Sequence, residues 1–299
     1  MSEAQGERGR QTQAELPLPE PEQGGSLRQA DEAGRRRRRR RRRREDVTAP
    51  RGLHLLPHLI TTGGLFSGFF AIIEAMLGHG DWAALGILAA AVCDALDGRV
   101  ARLARSQSRF GMEYDSLADI VSFGVAPAVL AFSAGHLSTL GRAGWVMSFL
   151  FMACAALRLA RFNVAPPSYR GRFEGLPSPA AAGVVASTQL FVSFLRDAGI
   201  AVDVPEWLIA AGVVTVGVLM VSQIPYRSFK EISWRQSFGA LVIAVLIFTV
   251  VAQEPVVWLF AVVSLYVVSG PVEWLWRWRS GRSLERIPDP GPTEPHGSH

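Results

Sequence analysis

The chain has 299 residues, 49% of them hydrophobic, and a formal net charge of +5 at pH 7. That charge rests on one unbroken run, Arg35 to Arg44; without it the balance is acidic, so net charge makes no case for a nucleic-acid-binding protein. Two cysteines, Cys93 and Cys154, exclude a disulfide framework and a cysteine-rich zinc module, and both are read as small packing residues.

Residues 1–50 are rich in Gln, Glu, Gly, Pro and Arg and nearly devoid of aliphatic side chains, which predicts a disordered tail. They contain no apolar h-region, so a cleaved signal peptide is not expected. The arginine run ends shortly before the first apolar stretch and reads first as a topogenic anchor. Attraction to anionic lipid, at about 1 kcal/mol per basic residue near the surface, is the functional alternative. No aromatic interleaving or folded module supports a specific nucleic-acid partner.

From residue 51 the composition changes. Stretches of about 20 predominantly apolar residues, long enough to cross a hydrocarbon core, lie near 57–78, 82–101, 113–134, 144–163, 178–196, 206–224, 237–253 and 255–276. The pattern predicts an all-α polytopic membrane protein of about eight transmembrane helices. The second and third stretches are the weakest by hydropathy, because each carries acidic residues at one end. Arginines sort by side. One set of connections holds Arg99, Arg102, Arg105 and Arg109, then Arg158, Arg161, Arg170 and Arg172, then Arg227, Lys230 and Arg235; the other set holds only Arg142 and Arg196. The positive-inside rule then puts both termini and the acidic residues in the cytoplasm. Residues 280–299 are polar and Pro-rich, a second loose tail.

Between the second and third stretches the chain reads Asp94-x2-Asp97-Gly98-x2-Ala101-Arg102-x8-Gly111-x3-Asp115-x3-Asp119. Ionisable groups at membrane depth are costly and mark function. Asp94 and Asp97 share one helix face by i,i+3 spacing, and Asp115 and Asp119 share another by i,i+4. The polar, basic segment Leu103 to Phe110 is long enough to turn the chain, so two antiparallel helices can bring all four carboxylates together. An oxygen-only set suits hard divalent cations such as Mg²⁺ or Mn²⁺, and two such ions can clamp a diphosphate. Gly98 and Ala101 remove bulk where a nucleotide would approach the backbone, and Arg102 offers a fork for phosphate. Simple pairing of the acids with Arg99, Arg102, Arg105 and Arg109 would require neither the small residues nor the fixed spacing.

This pattern resembles the signature of the CDP-alcohol phosphatidyltransferase family, with every fixed position present. The resemblance implies a six-helix catalytic membrane core, here residues 51–225, followed by two additional helices within 226–279. It implies that Asp94 and Asp115 bridge two metal ions and that Asp97 completes one site. Asp119 would complete the other and act as general base. It also implies contacts to the CDP-lipid from His58, Thr61, Gly98, Ala101, Arg102, Ser108 and Gly111, and commonly a homodimer. His58 departs from the pattern, since relatives usually carry Asn there.

Three further segments narrow the acceptor: Leu56 to Phe69, Ala156 to Asn163 with Phe173 to Ala181, and Met220 to Lys230. They are similar to the integral-membrane, serine-accepting branch of the family. That implies CDP-diacylglycerol and L-serine as substrates and the inner (cytoplasmic) membrane of a bacterium as the site of action. A serine carboxylate needs a cation, and Arg158 with Arg161, or Arg227 with Lys230, supplies one at i,i+3 spacing; Asn163, Glu174 or Ser178 would meet the ammonium or the hydroxyl. Glycerol 3-phosphate, inositol phosphate or choline is the alternative acceptor within the class. An ion-coupled transporter is the alternative outside it, though acids clustered at one end of two helices do not track through a membrane.

Overall fold

The computed structural model describes residues 55–104, 109–164, 172–200, 202–227 and 251–280; residues 1–50 and 281–299 of the expected tails, all but the last three residues of the span at 237–253, Ser108 and Lys230 lie outside them. In hydrocarbon every backbone polar group must be satisfied within its own segment, so the apolar stretches close as helices. They are α1 (Leu55–Met76), α2 (Gly80–Ala104), α3 (Arg109–Asp119), α4 (Ala126–Ser133), α5 (Arg142–Val164), α6 (Ser178–Asp197), α7 (Glu206–Val221) and α8 (Pro255–Ser280). A π-helical turn, Ile120–Val125, joins α3 to α4 without a break, and a 3₁₀ turn covers Leu137–Leu140.

Among the described residues, five continuous helices are long and apolar enough to cross a membrane: Pro57–Met76, Phe110–Ser133, Arg142–Val164, Ser178–Asp197 and Pro255–Ser280. The chain is thus helical and polytopic, as expected. Two of the expected spans differ. At 25 residues α2 is roughly 37 Å long, but Asp94, Asp97 and Arg99 in its second half keep it below a membrane-like composition. At 16 residues, α7 stops early because Ser222 turns to extended backbone and Pro225 follows shortly after.

Small residues let the helices approach. In α1, Gly64 and Gly68 form a G-x-x-x-G pair, the spacing that allows close backbone contact in a bilayer. Ser122, in the π turn, donates to the Gly64 carbonyl at 3.2 Å. A Cβ at Gly68 would stand 2.7 Å from Ser122 Cα. One buried cluster, mostly alanine, unites α1, α2, α4 and α6 with Phe123; a second gathers Phe151, Leu176, Val213, Met220 and Tyr226 between α5, α6 and α7. The large apolar side chains largely point outward, as a lipid-facing surface requires.

Tryptophans mark the two rims. Trp82, Trp145, Trp207 and Trp258 are exposed near the starts of α2, α5, α7 and α8, and Trp274, Trp276 and Trp278 are exposed at the far end of α8. These are two aromatic belts. The acidic residues belong to the end marked by the second. At that end a small antiparallel sheet pairs β1 (Arg172–Glu174) with β2 (Pro225–Arg227), with Phe173 opposite Tyr226.

Gly68→Ala is expected to destabilise the protein by about 1–3 kcal/mol through overpacking. Gly212→Ala, where nothing lies within 4 Å of the added Cβ, should not. Thermal unfolding of both variants in the same detergent checks the difference.

Candidate active site

The hydrogen-bond needs of Asp97 organise the site. It is buried, 5% exposed, and a buried carboxylate must be bonded to be tolerated. Thr61 Oγ1 lies 3.0 Å from Asp97 Oδ2 and 3.0 Å from the Pro57 carbonyl oxygen, its one proton shared between them. The Gly98 backbone N–H also donates to the Asp97 carboxylate. The first turns of α1 thereby buttress the acids of α2.

Asp94 and Asp97 on α2 meet Asp115 on α3, with one carboxylate oxygen from each lying within 4.8 Å of the others. At that separation two ionised carboxylates repel by roughly 3 kcal/mol at an effective dielectric constant near 20. A divalent cation between them turns the repulsion into attraction, and three oxygen donors without nitrogen or sulfur fit a hard ion. The cluster is therefore able to hold a metal.

Asp119 lies one turn beyond Asp115, outside this three-acid group but within electrostatic reach of all three members. Arg158 of α5 is also within electrostatic reach of it. The π turn begins at the next residue, and the Ala126 N–H reaches back to the Val121 carbonyl. Pro127 lacks the N–H that a regular turn would need there. Inserted π turns recur at functional sites because they re-aim side chains.

Arg158 Nη1 donates to Ser178 Oγ at 2.7 Å, and its Nε is buried without a hydrogen-bond partner among the described residues. Ser178 is buried at the first turn of α6. The approach to it is set by Gly175, whose φ of +75° favours glycine and whose missing Cβ makes room for the Met220 carbonyl. Asn163 Nδ2 donates to Ser116 Oγ at 2.9 Å, placing it beside the α3 acids.

Other residues expected at the site have partners of their own. Arg161 turns to an ion pair with Glu174 and reaches the Val221 carbonyl at 3.4 Å, so it does not join Arg158. The His58 ring stands edge-on to Phe110, with centroids 5.8 Å apart. Phe110 in turn stacks on Tyr114, whose hydroxyl is 3.0 Å from Thr62 Oγ1. His58 thus braces the start of α3. Gly98 and Gly111 lie on α2 and α3 next to the acids. The side chains of Ala101, Arg102 and Arg227 lie outside the described residues, as do Ser108 and Lys230. Tyr114, Ser116 and the π turn escaped the sequence reading; Pro127 was the one signal available for the last.

Comparison with known proteins agrees with this geometry. Residues 54–219 match the model of the CDP-alcohol phosphatidyltransferase family. A Helicobacter pylori protein named CDP-diacylglycerol–serine O-phosphatidyltransferase is 39% identical over 228 residues, which is 75% of this chain and 92% of that protein. Proteins of the same name from Mycobacterium tuberculosis (37% identity, 66% of this chain and 71% of theirs) and Bacillus subtilis (33% identity, 60% and 93%) are also similar. The chain belongs to the CDP-alcohol phosphatidyltransferase family.

Thr61→Val removes the hydroxyl that orients Asp97. Loss of such an outer contact is expected to weaken divalent-metal binding about 10- to 100-fold, measurable by titrating Mn²⁺ into purified protein and following free Mn²⁺ by electron paramagnetic resonance.

Proposed function

We propose that this chain transfers the phosphatidyl group from CDP-diacylglycerol to L-serine, giving phosphatidylserine and CMP. The observation that carries the reading is Asp119, within electrostatic reach of both the acid cluster and Arg158, which is bonded to Ser178. The acids suit a metal-bound diphosphate, and the arginine an amino-acid carboxylate. The names of the relatives supply the acceptor.

The roles follow the family pattern and the charges of these residues. Asp119 takes the proton from the serine hydroxyl as its oxygen attacks the lipid-side phosphorus. The new P–O bond forms as the bond to CMP breaks, and CMP leaves with the electron pair. Arg158 holds the serine carboxylate with the guanidinium edge not engaged by Ser178. Asn163 steadies α3 through Ser116. Gly98 and Gly111 leave space for the nucleotide. Asp94 and Asp115 would be shared between two divalent ions, Mg²⁺ or Mn²⁺, with Asp97 and Asp119 completing one site each. When bound, the ions neutralise the diphosphate and the departing CMP.

Two arrangements support serine over a phosphorylated acceptor. Arg161 is neutralised by Glu174, and Arg158 is the one described arginine adjoining Asp119. A second phosphate would need a denser basic cluster. The distribution of basic residues supports a cytoplasmic orientation of the acid end, in the inner membrane of a bacterium.

Purified protein is expected to release CMP from CDP-diacylglycerol when given L-serine and Mn²⁺ or Mg²⁺, but not with glycerol 3-phosphate, inositol phosphate or choline. Chelation should abolish release reversibly, and Asp119→Asn should lower kcat by about 10²- to 10⁴-fold, the usual weight of a general base. Release driven by another acceptor would overturn the serine assignment and leave the class standing.

A further inference from the structure

Helix α8 lies beyond the segment matched by the family model, which ends at residue 219, yet it is joined to the acceptor side of the site. Its sequence contains Ser269-Gly270-Pro271 in mid-helix. A proline at 271 has no N–H, so the carbonyl four residues earlier, on Val267, loses its helical donor. That carbonyl instead accepts the hydroxyl of Tyr226, at 3.0 Å. The Tyr226 ring occupies the space beside Gly270, where any Cβ would collide with it. Gly270 and Pro271 together cut a notch in α8, one by deleting a side chain and the other by deleting a donor. Tyr226 fills both deficits and is fully buried in doing so.

Tyr226 belongs to β2, and its partner across the sheet is Phe173. One residue further, Glu174 pairs with Arg161, and Gly175 leads into the Ser178 turn that holds Arg158. A second link is more direct. Tyr266, adjacent to Val267, stands 5.6 Å from the Tyr226 ring and within electrostatic reach of Arg158. The Nε of Arg158 is buried without a hydrogen-bond partner among the described residues. Burial, with Tyr266 beside it, pushes the Tyr226 phenol up to about 12, so it remains a hydroxyl donor at any physiological pH.

We propose that Tyr226, seated in the Gly270–Pro271 notch, is a positioning residue for the acceptor: it fixes the β1–β2 sheet to α8 and so holds Arg158 at the angle that receives the serine carboxylate. The proposal rests on the serine reading above. A family core completed by a helix of its own can in this way acquire an acceptor preference without changing the acids.

Two alternatives must be separated, a tether for the acceptor side and a plug that merely satisfies α8. Tyr226→Phe removes the donor from both. Tyr226→Phe combined with Pro271→Ala gives Val267 a new helical N–H, repairing α8 without restoring the tether. Steady-state CMP release, varied in L-serine and in CDP-diacylglycerol separately, is measured for the wild type and both variants alongside thermal unfolding. The tether requires Tyr226→Phe to raise KM for serine about three- to tenfold, the weight of one hydrogen bond, with KM for CDP-diacylglycerol unchanged. It also requires the double variant to regain thermal stability while its serine KM stays raised. Recovery of the serine KM together with stability would reduce Tyr226 to a plug and overturn the proposal, as would a parallel rise in both KM values. A wild type that releases no CMP with serine defeats the serine reading itself, and this inference with it.

Discussion

Mutual repulsion of carboxylates at the edge of an apolar bundle is the constraint on which the rest of this molecule depends. Asp94, Asp97 and Asp115 are gathered within reach of one ion, and nothing about a hydrophobic helix bundle favours that gathering. The fold supplies a rigid frame that leaves them no means of dispersing. The α1–α2 contact is tight, α1 donates a hydroxyl to the most buried acid, and the chain between α3 and α4 runs on without a hinge. Small residues are used where the frame must be stiff, because close backbone approach leaves little room for rearrangement. The energy invested in holding like charges together is what makes the site receptive to a cation and a diphosphate.

Charge on the acceptor side is handled by the opposite means. Arg158 and Arg161 are one helical turn apart, yet the structure gives them separate tasks. Arg161 is neutralised by Glu174 and ties α5 to β1, whereas Arg158 keeps a buried Nε donor unbonded among the described residues and lies within electrostatic reach of Asp119. A pair of adjacent cations is thereby reduced to one available positive charge, which matches the single carboxylate of an amino acid.

Much of this was legible in the sequence, for identifiable reasons. The acids are found because helical periodicity is local: i,i+3 and i,i+4 spacing fixes their faces before any tertiary contact exists. The apolar stretches are found because a bilayer imposes a length. What escaped depends on partners distant in the chain. Nothing near Arg161 announces Glu174, and nothing near Tyr226 announces a vacancy on residue 267. His58 illustrates the same limit, since its position beside the acid end was readable but its ring partner Phe110 was not. The π turn lies between these cases, with Pro127 a local hint whose outcome required the neighbouring helices. The expected end of α7 overshot because Ile224 extends the apolar pattern past Ser222 and Gln223, whereas the backbone leaves the helix at Ser222.

That shortness bears on the surrounding lipid. A 16-residue helix spans roughly 24 Å, against about 30 Å of hydrocarbon, while α8 at 26 residues is long enough to stand tilted. A helix as short as α7 is accommodated by local thinning of the bilayer, by snorkelling of flanking residues or by association with neighbours, and one as long as α8 by tilting. The flanks of α7 and α8 thus place different demands on the bilayer. The demand for a thinner bilayer falls beside the polar turn after Val221, where the chain leaves the helix.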